Sequence, residues 1–171
     1  ALFETNFFGT VRTLQQAAPY MERTPDSLRH ILICSSAASE VAPAMYGAYA
    51  ATKAAQDSMA CAMRAELHDA GWRVTSVHPV GTHTEFSDRV REISQTPSAT
   101  AGTPIRFKQR ADHVARCIVK ALRRPRAEVW PNPLARWAMA LLTACPWLSA
   151  WGIRHHFRRR LRAQTPDRPP A

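Results

Sequence analysis

The stretch that decides the fold runs from Ile31 to Lys53 and reads ILICSSAASEVAPAMYGAYAATK. Its apolar start is a short run typical of a buried strand, and Ser35 and Ser36 follow it directly. An Ala- and Met-rich pattern then predicts a helix that has Tyr49 and Lys53 near its start. Residues four positions apart on a helix share one face, about 6 Å apart along the axis. This stretch therefore brings a hydroxyl, a phenol and an ammonium towards one point.

Outward from this stretch, hydrophobic patterns predict alternating helices and strands. We predict helices over residues 1–23, 47–70 and 112–122, strands over 30–34, 72–78 and 127–130, and a long polar connection over 80–111 with a short helix near 85–93. Asn6 interrupts the first helix pattern, and Gly71 is expected to cap the second helix. The alternation indicates an α/β fold with a parallel sheet, in which ligands bind beyond the carboxyl ends of the strands.

The pair Tyr49 and Lys53 has a chemical interpretation. A phenol with a pKa near 10 is a poor base at neutral pH, and lowering that pKa to about 7 requires roughly 4 kcal/mol. An ammonium at ~4–5 Å, with an effective dielectric constant near 20, supplies about that much. We therefore predict that Lys53 lowers the pKa of Tyr49, and that Ser36 donates to a carbonyl oxygen. A surface lysine lying beside a packed tyrosine is the alternative for the pair alone.

The ordered motifs resemble the classical short-chain dehydrogenase/reductase family over about residues 1–131. In that family a serine after a strand precedes the tyrosine of a YxxxK motif by about a dozen residues, and Ser36 precedes Tyr49 by 13. An asparagine in the preceding helix completes the set, and Asn6 in TNFFGT matches it. The late EVWP segment is also similar to members of the family.

The resemblance implies hydride transfer between NAD or NADP and an alcohol/carbonyl substrate. Tyr49 would exchange the proton with the substrate oxygen, and Lys53 would lower the Tyr49 pKa and bind the nicotinamide ribose. Ser36 would polarise the carbonyl, and Asn6 would support a water-mediated proton relay. These four residues are the predicted catalytic set.

A second set of cofactor contacts is implied after the second strand. The family has a Pro-Gly segment there and then a threonine that contacts the nicotinamide carboxamide. This chain has PVGTHT at residues 79–84, with the glycine one place late. The implied cofactor-binding residues are Tyr49, Lys53, Pro79, Gly81, Thr82 and Thr84.

The family's opening Gly-rich turn, TGxxxGxG, and its NAG motif are both absent from the sequence, whose six glycines are well separated. By resemblance, we expect the C-terminal half of a Rossmann-type doubly wound parallel sheet, without the N-terminal nucleotide-binding βαβ units. This half alone is expected to bind cofactor weakly and to be inactive. Its first strand is expected to present an unpaired edge.

The C-terminal region differs from the rest in composition. Residues 134–153 are apolar with one charge, and residues 151–171 hold six arginines against one aspartate. We divide the chain into a catalytic half (1–131), a helical extension (132–162) and a disordered tail (163–171). Three roles stay open for the apolar segment: packing over the substrate pocket or a partner subunit, peripheral membrane contact through 134–162, and a membrane span interrupted by Pro146 and Gly152.

The residue composition limits the kinds of ligand and partner that the chain is expected to bind. The four cysteines and seven histidines have no metal-ligand spacing, so the sequence predicts free thiols and no metal site. No basic-aromatic motif accompanies the arginines, so nucleic-acid binding is not expected. We expect a cytoplasmic protein, peripheral to the membrane if the extension binds lipid, and the family resemblance implies a homodimer or homotetramer. A non-catalytic binding or scaffold module is the alternative function.

Overall fold

The computed structural model describes residues 1–24, 28–83 and 108–164. The helices and strands are α1 (Gly9–Glu22), β1 (His30–Cys34), α2 (Gly47–Glu66), β2 (Arg73–Val77), β3 (Thr82–His83), β4 (Gln109–Arg110), α3 (Ala111–Arg123), β5 (Glu128–Val129), α4 (Pro133–Ala144) and α5 (Pro146–Gln164). A π-helical turn (Glu4–Phe8) precedes α1, and a short 3-10 helix (Ala37–Ser39) follows β1.

The main sheet is parallel and has the strand order β1-β2-β5. His30 is opposite Arg73 and Cys34 is opposite Val77, while Ser76 pairs with Glu128 in the last strand. The connections between these strands contain α2 and α3, as helical crossovers between parallel strands require. The predicted α/β class and the three predicted strands are therefore confirmed.

Asn6 lies inside the π-helical turn, where the Gly9 N–H donates to the Glu4 carbonyl five residues back. The sequence predicted a disturbance of the helix at Asn6, and the wide turn is that disturbance. Such turns are frequent at functional sites because they re-aim one side chain without ending the helix. Here the turn directs the Asn6 amide at α2.

The prediction that α2 extends to residue 70 and is capped by Gly71 is wrong. The helix ends at Glu66, with Leu67 as its C-cap. A further turn follows, in which the Gly71 N–H donates to His68 O and the Trp72 N–H donates to Leu67 O. Gly71 has φ of +81°, a conformation that glycine adopts readily, so it closes this turn rather than the helix.

A hydrophobic core lies between the sheet and helices α1 and α2, and the apolar faces of β1 and α2 form it. Buried apolar side chains from the first two strands meet the inner face of α2, and less buried ones from α1 cover them. The buried members are Ile31, Ile33, Ala60, Trp72 and Val74, and the partly buried ones are Leu14, Ala18, Met21, Met59, Met63 and Leu67. Burial of these side chains stabilises the fold by about 25 cal/mol per Å² of apolar surface.

A two-residue parallel pairing of β3 with β4 was not predicted. Gln109 in β4 is buried, and its side-chain carbonyl accepts from the Val80 N–H at 3.1 Å. Strands of two residues are too short for a hydrophobic pattern to reveal. The helix predicted near residues 85–93 lies outside the described residues.

The extension forms two helices, α4 and α5, which separate at Pro146 as the sequence predicted. Gly152 lies inside α5, so the interruption predicted there is wrong. None of the described helices is long and apolar enough to cross a membrane. Residues 163–164 belong to α5, and residues 165–171 lie outside the described part of the chain.

Candidate active site

Ser36 begins the site at the carboxyl end of β1. It has an extended backbone and caps the 3-10 helix, with its Oγ accepting from the Ala38 N–H at 3.2 Å. Serine favours this position because its oxygen satisfies an N–H that the first turn leaves unpaired. Ser35 is 3% exposed and donates to the Lys53 carbonyl at 3.2 Å. Ser35 therefore has a structural role, and Ser36 is the serine that faces Tyr49.

The hydroxyl groups of Tyr49 and Ser36 are joined by a hydrogen bond. Burial is the largest influence on Tyr49 and raises the pKa of its phenol above the ordinary value of 10.0, whereas the bond to Ser36 lowers it. Cys34 and Tyr46 raise it further. The prediction that the Tyr49 pKa is lowered is therefore wrong, because burial of the phenol raises it.

The position of the Lys53 ammonium explains why this prediction fails. Its Nζ donates to Cys34 O at 2.9 Å and to Gln56 Oε1 at 3.0 Å, and it lies 5.8 Å from the centroid of the Tyr49 ring. Burial lowers the pKa of Lys53. The ammonium is thus held by a strand-end carbonyl and an amide beside the phenol, and its field does not offset the burial of the Tyr49 side chain.

Asn6 joins the site through two buried polar side chains of α2. Its Nδ2 donates to Thr52 Oγ1 at 3.0 Å, and the Thr52 hydroxyl donates to Tyr49 O at 2.7 Å. Gln56 Nε2 donates to Asn6 O at 2.8 Å, while its Oε1 accepts from Lys53. The structure therefore brings Asn6, Ser36, Tyr49 and Lys53 into one connected hydrogen-bond network.

Thr52 and Gln56 were not among the predicted site residues. They are 0% and 4% exposed, and each lies three residues after a predicted catalytic residue, Tyr49 and Lys53 respectively. A polar residue on the inner face of an otherwise apolar helix is the signal that could have found them, because buried polar groups need partners.

The segment after β2 lies next to the serine turn. The Pro79 carbonyl accepts from the Ala37 N–H at 3.1 Å, and Gly81 has φ of +45°. The buried hydroxyl of Thr82 has no hydrogen-bond partner among the described residues. A polar ligand such as the carboxamide of a nicotinamide would satisfy that hydroxyl, so these residues fit a cofactor. Thr84 lies outside the described residues.

The structure combines parallel strands and helical crossovers with a Ser–Tyr–Lys set at the carboxyl ends of the strands. This combination defines a Rossmann-type α/β protein with a candidate proton-transfer site. The family model described as short chain dehydrogenase matches residues 1–95. The chain therefore belongs to the short-chain dehydrogenase family, which confirms the predicted resemblance.

Similar proteins agree with this membership. The chain is 29% identical over 142 residues to the uncharacterized oxidoreductase YbbO of Escherichia coli strain K12, covering 82% of this chain and 52% of that protein. A short chain dehydrogenase from Burkholderia cenocepacia, crystallised with NADP, superposes with a TM-score of 0.65 at 25% identity over 94% of this chain and 57% of that one. A short chain dehydrogenase/reductase from Burkholderia phymatum, in complex with NAD, superposes with a TM-score of 0.61 at 21% identity. The match covers 84% of this chain and 56% of that one. The chain thus spans about half the length of these relatives.

Proposed function

We propose that the protein is an NAD(P)-dependent oxidoreductase that interconverts an alcohol and a ketone or aldehyde by hydride transfer. The observation that carries the proposal is the hydrogen bond between the Ser36 and Tyr49 hydroxyls, with the Lys53 ammonium beside the Tyr49 ring. Family membership supports it, as do the similar structures that contain NADP or NAD. The substrate is a small alcohol/carbonyl pair whose identity the described residues leave open.

In carbonyl reduction Tyr49 acts as the acid. Because burial raises its pKa, the phenol is protonated at neutral pH and can donate to the oxygen that gains charge as hydride arrives. The Ser36 hydroxyl donates to the same oxygen and stabilises that charge. In the oxidative direction the Tyr49 phenolate accepts the proton of the alcohol.

Lys53 positions the cofactor and Asn6 supports the helix that carries Tyr49. An ammonium has three N–H donors, of which the Cys34 carbonyl and Gln56 use two, so Lys53 can bind a ribose hydroxyl with the third. By family resemblance, Asn6, which Thr52 and Gln56 hold in place, would support a water-mediated proton relay.

The nicotinamide cofactor, when bound, supplies or accepts the hydride. Pro79, Gly81 and Thr82 would hold its nicotinamide end together with Tyr49 and Lys53, and we include Thr84 from the family pattern. The Thr82 hydroxyl is the group whose missing partner supports this assignment. The Gly-rich turn of the family is absent from the chain, so these residues can hold only that end.

The test is a Tyr49→Phe variant of the protein as its gene encodes it, which removes the phenolic oxygen and leaves the ring packing in place. We expect turnover of carbonyl substrates with NADH or NADPH to fall by about 10²–10⁴-fold, the usual contribution of a positioned acid. Tyr20→Phe, at a side chain 69% exposed, is the matched control. Retention of turnover in Tyr49→Phe, measured by nicotinamide absorbance, would show that another group transfers the proton.

We also propose that the extension makes peripheral contact with an anionic membrane. Three tryptophans of α4 and α5, Trp137, Trp147 and Trp151, are 72%, 74% and 62% exposed. Arg154 and Arg158 on α5 are exposed as well. Indole rings favour the headgroup region of a bilayer, and each arginine near an anionic surface contributes about 1 kcal/mol.

Flotation with lipid vesicles tests this contact. The wild-type protein is expected to float with vesicles containing phosphatidylserine and to stay unbound with phosphatidylcholine alone, because the arginines need anionic headgroups. A Trp147→Ala, Trp151→Ala double variant should lose flotation, while Tyr20→Ala on α1 should keep it. Equal flotation of the wild type and the double variant would contradict the proposed contact.

A homodimer or homotetramer remains part of the proposal by family resemblance. Phe3 and Phe8, at the first helical segment, are 44% and 45% exposed and give a partner subunit apolar surface to cover.

A further inference from the structure

Three side chains that could bind a metal ion converge at a place the proposed reaction does not use. They are Glu40, Asp57 and His78, and each offers one ligand atom within 4.8 Å of the other two. They come from three different segments, because Glu40 follows the 3-10 helix, Asp57 lies on α2 and His78 directly follows β2.

His78 is the member of this cluster that indicates a missing ligand. Its side chain is 1% exposed, and neither ring nitrogen has a hydrogen-bond partner among the described residues. The ring stacks on Trp130 with centroids 4.3 Å apart and planes 4° apart, which fixes its direction. Buried polar groups are rarely left unpaired, so a histidine held rigidly in this state calls for a ligand.

The separation of the ligand atoms suits a metal ion better than a direct hydrogen bond. His78 Nε2 lies 3.6 Å from Asp57 Oδ1, beyond the usual 2.7–3.2 Å of an N–H···O bond. Four ligands arranged tetrahedrally at about 2.0–2.1 Å from a zinc ion lie about 3.4 Å from one another. The His78–Asp57 separation of 3.6 Å is close to that value, and the exposed Glu40 carboxylate, within 4.8 Å of both, would move inward to complete the set.

The surroundings of the cluster carry net negative charge. The adjoining cleft of about 300 Å³ is lined by Glu40, Asp57 and Glu128, with Arg64 as the cation among its lining residues. The Arg64 guanidinium is already held by two backbone carbonyls and by Ser76. A bound cation would relieve the repulsion between the Glu40 and Asp57 carboxylates, whose ligand atoms lie within 4.8 Å of each other.

We propose that Glu40, Asp57 and His78 bind one divalent transition-metal ion, with zinc as the best fit and water completing its coordination. An imidazole with two carboxylates suits zinc, whereas Mg²⁺ and Ca²⁺ prefer oxygen ligands alone. The ion would connect the segment after Ser36, the helix that carries Tyr49 and Lys53, and the segment that begins at Pro79. Its role is therefore structural, and it is independent of the proposed reaction.

Calorimetric titration of the purified, metal-free protein with Zn²⁺ tests the site. We expect about one ion per chain, a higher unfolding temperature with Zn²⁺ than with a chelator, and little response to Mg²⁺. Glu40→Gln and Asp57→Asn should each weaken binding by about ten-fold or more, since loss of even an outer contact costs that much. Because Glu40 is exposed, its variant tests the ligand without disturbing the core. Co²⁺ in place of Zn²⁺ should show the visible absorption of a tetrahedral site.

Three control variants separate this site from other zinc ligands. Glu66→Gln removes an exposed acid at the end of α2, and Asp69→Asn disrupts the exposed His68–Asp69 pair. Cys61→Ser removes a thiol that lines the same cleft. All three should bind zinc as the wild type does. Absence of stoichiometric binding, full binding by Glu40→Gln and Asp57→Asn, or loss of binding in a control variant would overturn the proposal.

Discussion

At the scale of single residues, the structure changes the account of how Tyr49 works. Sequence spacing alone predicts Tyr49 and Lys53 on one helix face, and the structure places them there. Spacing could not show that the Lys53 ammonium would bind the Cys34 carbonyl and Gln56, because both contacts depend on where β1 ends against α2. The desolvation of the phenol could not be predicted either, since it follows from packing of the whole site.

The raised Tyr49 pKa gives a pH dependence with a definite sign. Carbonyl reduction needs the protonated phenol, so its kcat should stay constant from neutral pH to about pH 9 and fall only as Tyr49 deprotonates. Alcohol oxidation needs the phenolate, so its kcat should rise over the same range. Initial rates in both directions between pH 6 and 10 measure this. A reduction rate that falls with a midpoint near pH 7 would show that cofactor binding lowers the Tyr49 pKa.

At the scale of elements, hydrophobic periodicity and turn residues predicted most of the helices and strands. The apolar run in β1, the long helix α2 and the break at Pro146 each follow from local sequence. The end of α2 at Glu66 does not, because leucine at the C-cap gives no stop signal and the turn closed by Gly71 comes five residues later. The juxtaposition of Glu40, Asp57 and His78 could not be predicted either, since these residues lie 17 and 21 positions apart and only folding brings them together.

Thr52 connects the turn around Asn6 to α2, so removing its hydroxyl should weaken the contact between these elements. Thr52→Val keeps the shape but leaves the Asn6 amide without its acceptor. We expect a loss of about 1–3 kcal/mol in the free energy of unfolding, the usual cost of an unsatisfied buried group, measured by urea denaturation. Thr13→Val is the control, since its exposed hydroxyl bonds only within α1. Equal stability of the wild type and Thr52→Val would show that the network does not hold the elements together.

At the scale of the whole molecule, the chain matches about half the length of its family relatives. The sheet has three strands, β1 is paired on one side only among the described residues, and the chain spans 52% of its Escherichia coli relative. Family membership was predictable because motifs in fixed order survive even where overall identity is low. The substrate was not, since the composition of the loop expected to line its pocket, about residues 85–110, does not discriminate among alcohol/carbonyl substrates.

Deuterium labelling of the cofactor tests the proposed hydride transfer to a carbonyl carbon directly. The protein as its gene encodes it, including any sequence encoded upstream of Ala1, is incubated with nicotinamide cofactor deuterated at C4 and a panel of ketones and aldehydes. We predict one deuterium per alcohol product by mass spectrometry, and no product from residues 1–171 alone because the Gly-rich turn is absent. Absence of deuterated alcohol from the protein as its gene encodes it, with both NADH and NADPH, would contradict the proposed function.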